Sequence, residues 1–317
     1  MKKVLLFLCL LIALIFSLPY FLISKTLIVT NIITLPCSIS AANRILQQKN
    51  NWEKFWPGKT QLTTQNLFTN DDYLFYNDYT FSITKVLQNI LFISIASQNN
   101  KVNTNLVITS QSSDSLVLNW SYATQTSINP IIRIKQYQQA VHTKKTMQYI
   151  LSVVKQFLSK DENIYGFDIV QMSTKDTLLV STKITTKAYP STAQIYSLIE
   201  KLKNNVEASN VKQTGFPMIN INQIDKLRYS LMVAIPVNKI INGKNDILYQ
   251  RLIPGRFLTT TAIGGEKTVD IAYNSLQQYI QDYGRITMAA PFMYLITDRS
   301  KETDTLQWIT KLYFPIM

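Results

Sequence analysis

The chain has 317 residues, 46% of them hydrophobic and 16% charged, with 32 Lys and Arg against 19 Asp and Glu for a formal charge of +13. That length suits about two domains of ordinary size; the composition excludes bulk disorder, and two cysteines exclude a disulfide framework. The basic residues are dispersed, with no run longer than Lys2-Lys3 or Lys144-Lys145, so the charge reads as a solvated surface, and no nucleic-acid partner is expected.

Residues 4–23 carry no charge and consist mainly of aliphatics and phenylalanine, interrupted by Cys9, Ser17, Pro19 and Tyr20. As a helix rising ~1.5 Å per residue they would reach about 30 Å, the thickness of a bilayer's hydrocarbon core. The segment that follows lacks a small-x-small cleavage pattern, so residues 1–25 are expected to be a transmembrane anchor or uncleaved signal. Lys2 and Lys3 precede the run, which places the remainder outside the cytoplasm by the positive-inside bias. The expected localisation is therefore a single-pass membrane protein with extracytoplasmic soluble domains. Neither Cys9 nor Cys37 has a lipidation context.

Residues 26–35 are rich in Ile, Val, Leu and Thr and predict a strand. Ser38 or Ser40 can cap a helix carrying Ala41, Ala42, Ile45 and Leu46, which stops near Lys49. The cluster N-W-E-K-F-W-P-G over residues 51–58 predicts a packed aromatic loop, with a ligand cradle at Trp52 and Trp56 as the sharper alternative. Strand-like runs at 73–76, 80–86, 91–96, 104–109 and 115–124, broken by polar turns at 98–100 and 111–114, predict an antiparallel meander. Met147, Ile150, Leu151, Val154, Phe157 and Leu158 recur at three and four, the stripe of a long amphipathic helix. His142, the single histidine, falls ahead of that stripe as a surface residue at the helix start.

A strand, a short helix, a meander and a long terminal helix make a sheet gripping a helix. The strand, the capped helix and N-W-E-K-F-W resemble the opening of the START-like polyketide cyclase/dehydrase (SRPBCC) superfamily. The resemblance implies a helix-grip cup over residues 26–160 enclosing an apolar cavity. It carries no catalytic residue onto this chain.

The remaining 150 or so residues repeat themselves. T-L-L-V-S-T-K-I (177–184) lies over R-F-L-T-T-T-A-I (256–263), an offset of 257 − 178 = 79 from Leu178 to Phe257, and Pro236 to Pro315 is again 315 − 236 = 79. Between them G-F-P-M (215–218) faces A-P-F-M (290–293). Each copy, 168–237 and 247–316, reads strand, helix, strand, strand. One helix carries Ile195, Tyr196, Ile199, Leu202 and Val206 behind Ser191; the other carries Val269, Ala272, Leu276 and Ile280 behind Thr268. The expectation is two small sheets with a pocket along their pseudo-twofold seam.

The closing strand W-I-T-K-L-Y-F-P-I (308–316), with the duplication before it, resembles the GyrI-like domain, also called the AraC-type effector-binding or SOUL-related domain. The fold class implied for the whole chain is α+β, a helix-grip domain followed by a duplicated β-α-β-β domain over residues 161–317. The resemblance implies capture of a small molecule, with a glutamate common two residues before the last strand's aromatic. Here that place is Lys311, ahead of Tyr313. Either Lys311 faces the seam and selects an anionic or neutral ligand, or it turns to solvent. The candidate ligand-binding set is Lys311, Tyr313, its counterpart Met232 for Lys311, Phe292 and Tyr294, with Trp52 and Trp56 in the first domain. Trp308, on the alternate face of the strand, reads as core.

No phosphate-cradling glycine pattern, nucleophile elbow or metal-ligand cluster is present, so neither a cofactor nor a metal is expected, and no enzyme activity is assigned. The preferred reading is a membrane-anchored bacterial protein that binds an apolar or amphipathic small molecule in two cavity-forming domains. The alternatives are a hydrolase acting in the GyrI-like pocket, which the resemblance allows, and a ligand-free scaffold or regulator. Oligomeric state is not legible.

Overall fold

The computed structural model describes every residue except 1–6, 8–16, 64–67, 70, 98–99, 175–176, 241–245, 253 and 288. The chain divides into two compact units, Met1–Lys160 and Asp161–Met317. The fold class is α+β, a helix-grip unit followed by a duplicated β-α-β-β unit.

In the first unit, strands β1 (Thr26–Leu35), β2 (Lys59–Gln61), β3 (Tyr73–Tyr76), β4 (Tyr79–Leu87), β5 (Ile90–Ser97), β6 (Asn100–Ser112) and β7 (Ser115–Gln125) form one antiparallel sheet in the order β1-β7-β6-β5-β4-β3-β2. The meander follows from simple alternation: in β7, Leu116, Leu118, Trp120 and Tyr122 are buried while their neighbours are partly exposed. Helix α1 (Ile39–Gln47) starts where Ser38 accepts the Ala41 N–H at 3.1 Å, and α2 (Lys49–Trp52) follows.

Helix α3 (Pro130–Leu158) is much longer than its apolar stripe predicts. Asn129 caps it and Pro130 occupies its first turn, so it begins where both residue types favour a start. His142 is therefore mid-helix, correcting the expected start position, and its Nδ1 meets the Tyr79 hydroxyl at 3.1 Å. The helix is held across the sheet by Asn31 Nδ2 donating to the Lys144 carbonyl (3.2 Å), by Tyr149 stacked on Tyr76 (5.2 Å) and by Phe157 against Phe55 (5.0 Å).

The expected membrane anchor is overturned. Among the described residues no helix is long and apolar enough to cross a membrane. Residues 17–22 are helical, and the chain after them is held by the first unit: the Arg133 guanidinium donates to the Ile23 carbonyl, and Thr126 Oγ1 to the carbonyls of Ser24 and Lys25 at 3.0 Å each. Ile23, the last residue of the expected span, is 7% exposed in that contact. Most of the expected span, including Cys9, lies outside the described residues, and the extracytoplasmic placement falls with the anchor.

In the second unit, α4 (Asp161–Tyr165) precedes β8 (Val170–Ser173), β9 (Thr177–Thr186), α5 (Thr192–Ala208), β10 (Met218–Asp225), β11 (Arg228–Val237), β12 (Ile247–Leu252), β13 (Arg256–Ile263), α6 (Glu266–Asp282), β14 (Phe292–Leu295) and β15 (Ile309–Ile316). The sheet order is β12-β9-β11-β10-β14-β15-β13-β8. The two copies thus merge into one eight-stranded sheet, correcting the two small sheets expected. They join through β10 and β14, where Met218 pairs with Tyr294 and Ile219 with Met293, so neither copy leaves that edge unpaired. The lead-in strands cross over: β8 pairs with β13 of the second copy and β12 with β9 of the first.

The repeat itself is one residue out of the expected register. Leu179 pairs with Pro236 and Phe257 with Pro315, so the first strands correspond at 257 − 179 = 78, not 79. Met218 pairs with Ala234 and Phe292 with Tyr313, making Phe292, not Met293, the counterpart of Met218. A one-residue shift exchanges the two faces of a strand, so these corrections decide which side chains share a surface.

Helix α5 carries a capping box at Ser191, whose hydroxyl accepts the Gln194 N–H (3.3 Å) while the Ser191 N–H donates to Gln194 Oε1 (3.0 Å). Ser191→Ala is expected to lower stability by about 1 kcal/mol, read by urea unfolding of the full chain; an unchanged midpoint would show that the box contributes nothing. Helix α6 begins at Glu266 behind Gly265, two residues before the expected Thr268. Gly264 sets this turn at φ +136, where a Cβ would stand 2.6 Å from Thr268 Oγ1.

Candidate functional site

The register of the second sheet sorts its side chains into two faces. Val180, Ile219, Leu231, Val233, Ile235 and Leu295 pack with Ile195, Ile199, Leu202 and Val206 of α5. Phe314 packs at a tilt against Tyr273 of α6, ring centres 4.9 Å apart, so both helices cover this face. The opposite face carries Leu179, Met218, Ala234, Phe257, Phe292 and Tyr313, with Met172, Leu252 and Tyr294 packed against them.

On that second face the copies differ sharply. In the second copy Phe292 and Tyr313 stack in parallel at 5.1 Å, Tyr294 meets Tyr313 edge-on at 5.0 Å, and Phe257 meets Phe292 edge-on at 5.7 Å. This is an aromatic wall assembled from three adjacent strands, in the offset and edge-to-face geometries aromatic rings prefer. In the first copy the counterparts of Phe292 and Tyr313 are Met218 and Ala234, as the strand pairing shows. An alanine where its pseudo-symmetric partner is a tyrosine leaves space.

That space is a cavity of about 250 Å³ lined by Leu179, Met218, Asn220, Met232, Ala234 and Phe292, with Gln250, Arg251 and Leu252 of β12 and Ala289–Ala290 completing it. A second cavity of about 470 Å³ shares Arg251, Leu252, Ala289, Ala290 and Phe292 and extends to Arg256, Phe257 and Pro315. The shared residues make the two one cleft along the helix-free face. Asn220 Nδ2 donates to the Pro291 carbonyl at 2.6 Å and so fixes the chain beside it. Burial, then the neighbouring Tyr313, push the Tyr294 phenol above its ordinary value, so it stays protonated at neutral pH.

The structure brings Met232 and Phe292 to this cleft, with Tyr313 and Tyr294 in the wall behind Phe292. Lys311 lies on the same face but borders a different cavity, of about 510 Å³, with Glu162, Asp168, Thr259 and Thr261. Its Nζ sits 5.5 Å from the centre of the Tyr313 ring. Close by, the Asp161 carboxyl is pushed up to about 6, first by burial and then by the charge of Asp168. Trp52 and Trp56 belong to the first unit, where they are 2% and 7% exposed and donate their indole N–H groups to the carbonyls of Leu46 and Phe75. Trp308 is buried on the other face, beneath the Arg299 guanidinium at 4.6 Å.

Sequence reasoning missed Ala234, Phe257, Arg251, Leu252 and Arg256. The signal for Ala234 was present, because aligning Pro236 with Pro315 already sets Ala234 against Tyr313. The β12 residues gave none, since that strand is short and its partner lies in the other copy.

No family model matches the chain, and no curated protein matches it. Among solved structures, the EcmrR C-terminal domain aligns over 48% of this chain and 98% of its own, at 16% identity and a TM-score of 0.42. SAV2435 bound to tetraphenylphosphonium aligns over 47% of this chain and 94% of its own, at 18% identity and a TM-score of 0.32. A hydrolase from Listeria innocua aligns over 47% and 91%, at 6% identity and a TM-score of 0.38.

Proposed function

We propose that the second unit is a GyrI-like domain that captures an apolar or amphipathic small molecule in the cleft on the helix-free face of its sheet. The observation that carries the reading is the substitution of size across the pseudo-twofold: Ala234 opposite Tyr313, with a cavity of about 250 Å³ beside Ala234 and an aromatic wall beside Tyr313. Ligand sites are concave, mostly apolar and provided with a few polar groups, here Asn220 and Gln250. The reading is confined to the second unit because the centre of the first is occupied by Trp52, Phe55, Trp56, Phe81 and Trp120, all buried and in ring contact.

The test is a thermal-shift and native mass-spectrometry screen of the full chain against aromatic and aliphatic compounds, repeated on Ala234→Tyr. That variant copies the partner residue and fills the cavity. A compound held at 100 times its dissociation constant stabilises by about 2.7 kcal/mol, and Ala234→Tyr is expected to weaken such binding at least tenfold while leaving the fold intact. Binders indifferent to Ala234→Tyr, or silence across the screen, would remove the assignment.

A further inference from the structure

We infer that β1 is a dimer interface, its outer edge pairing antiparallel with β1 of a second copy of this chain about a twofold axis through Thr30. The inference concerns the first unit and stands apart from the cleft of the second.

The edges of the two sheets are unlike one another. Strands β2, β8 and β12 end their sheets with three, four and six residues, and short edge strands offer little to which another chain can add. Strand β1 ends the first sheet with ten residues, paired on β7 without a bulge and carrying neither a charge nor a proline. It has none of the shortening, charge, proline or bulge that keeps edges apart. Its free groups follow from the register. The Lys25 carbonyl accepts the Thr126 N–H at 2.8 Å, so the odd-numbered residues of β1 bond to β7, while Thr26, Ile28, Thr30, Ile32 and Thr34 turn their N–H and C=O groups outward. Among the described residues nothing bonds to these groups.

The choice of partner comes from the strand's own sequence. Laid antiparallel on itself with Thr30 on the axis, β1 sets Ile28 against Ile32 of the second copy, Ile32 against Ile28 and Thr30 against Thr30. Ile28 and Ile32 are 74% and 66% exposed, whereas Val29, Asn31 and Leu35, pointing to the other face, are buried. Apolar β-branched side chains directly opposite one another stabilise a strand pair. Both isoleucine pairs form in the register that also overlaps the outward groups from end to end, with Thr26 meeting Thr34. That register makes the outward residues the hydrogen-bonded pairs, as their free N–H and C=O groups require. A twofold contact needs a surface complementary to itself, and a strand without charge opposes no like charges when it is doubled.

Sedimentation of the full chain across the micromolar range is expected to show a monomer–dimer equilibrium. Ile28→Lys acts at two places in a symmetric dimer and is expected to weaken it at least roughly tenfold, with the far-ultraviolet circular dichroism unchanged because Ile28 is solvated in the monomer. The register has its own readout. Thr30→Cys places one thiol from each copy at the axis, with Cα atoms about 5.5 Å apart, within disulfide reach. Copper–phenanthroline oxidation is expected to link this variant into a covalent dimer above the level of the parent. Ile28→Cys, whose own counterpart lies 32 − 28 = 4 residues along the partner strand, is expected to stay unlinked. Should Ile28→Lys misfold, the two cysteine variants still decide. A parent monomeric across that range would overturn the second copy as the occupant of this edge. A dimer indifferent to Ile28→Lys, or equal linking of the two cysteine variants, would overturn β1 as the contact.

Discussion

Lys49→Met is expected to lower the unfolding free energy of the first unit by roughly 3–5 kcal/mol, because it strands a buried carboxylate. The Lys49 and Asp72 side chains are 0% and 1% exposed, with Nζ 3.0 Å from Oδ1. The Asp72 oxygens also accept the Thr63 and Thr69 N–H groups at 2.6 Å each and the Thr69 hydroxyl at 3.0 Å, while Lys49 Nζ donates to Thr63 Oγ1 at 2.7 Å. Removing the ammonium leaves the anion with its backbone donors but without a countercharge. Lys49→Met combined with Asp72→Asn is expected to be less costly than Lys49→Met alone, since no charge is then left buried. Urea unfolding followed by intrinsic fluorescence reads this well, as three of the four tryptophans, Trp52, Trp56 and Trp120, lie in this unit. A single variant as stable as the parent would show that the pair is not what holds α2 to the chain at Asp72.

The same cluster sets an acid limit. Burial by itself raises the Asp72 pKa, but the Thr63 and Thr69 N–H groups, then Lys49 and the Thr69 hydroxyl, outweigh it and bring the value from 3.8 to about 2. The folded value lies below the unfolded one, so the contribution is present above about pH 4 and is lost as the pH falls through 2. A difference of that size is on the order of 2 kcal/mol. Asp72→Asn should flatten the acid limb of a stability-against-pH curve between those values, and an unaltered limb would assign it to other carboxylates.

Gly58→Ala is the second large effect, with an expected loss of roughly 3 kcal/mol, the upper end for forcing atoms into packed structure. A Cβ at Gly58 would stand 1.8 Å from the Phe75 carbonyl oxygen and 2.9 Å from its carbon. Both are backbone atoms of β3 and cannot swing aside. That carbonyl also accepts the Trp56 indole N–H at 3.0 Å, and Phe75 pairs with Lys59 across β2 and β3. Relief of the clash therefore has to open the strand pair or release Trp56 from its place against Phe81. A red shift or intensity change in tryptophan emission should accompany the lower urea midpoint as buried Trp56 is released, and Gly58→Ala with both unchanged would refute the close approach.

Strands β3 to β7 were legible because each buries one face and wets the other, which writes alternation into the sequence. Strands β2, β8 and β12 were not. They are three to six residues long, and their partners in the sheet are not all their neighbours in the chain. The first half of α3 was hidden for another reason: its buried positions before Met147 include Arg133, Thr143 and Thr146, which leave no apolar stripe. The apolar run at 4–23 had the composition of a membrane span, but composition cannot show that Ile23 is held by Arg133.

By itself the sequence determined the α+β class, the meander, the duplication and the pairing of Lys311 with Tyr313 on one strand face, since periodicity and repetition are local or translational properties. Only the tertiary structure decided that the copies share one sheet, that the repeat runs at 78 in its first strands and 79 in its last, and that β8 and β12 exchange partners. Those are long-range pairings, settled by which edges satisfy one another's hydrogen bonds and which faces the helices cover. The cleft follows from them: Ala234 and Tyr313 are three-dimensional counterparts, and the difference in their volumes has a location only once the strands are paired.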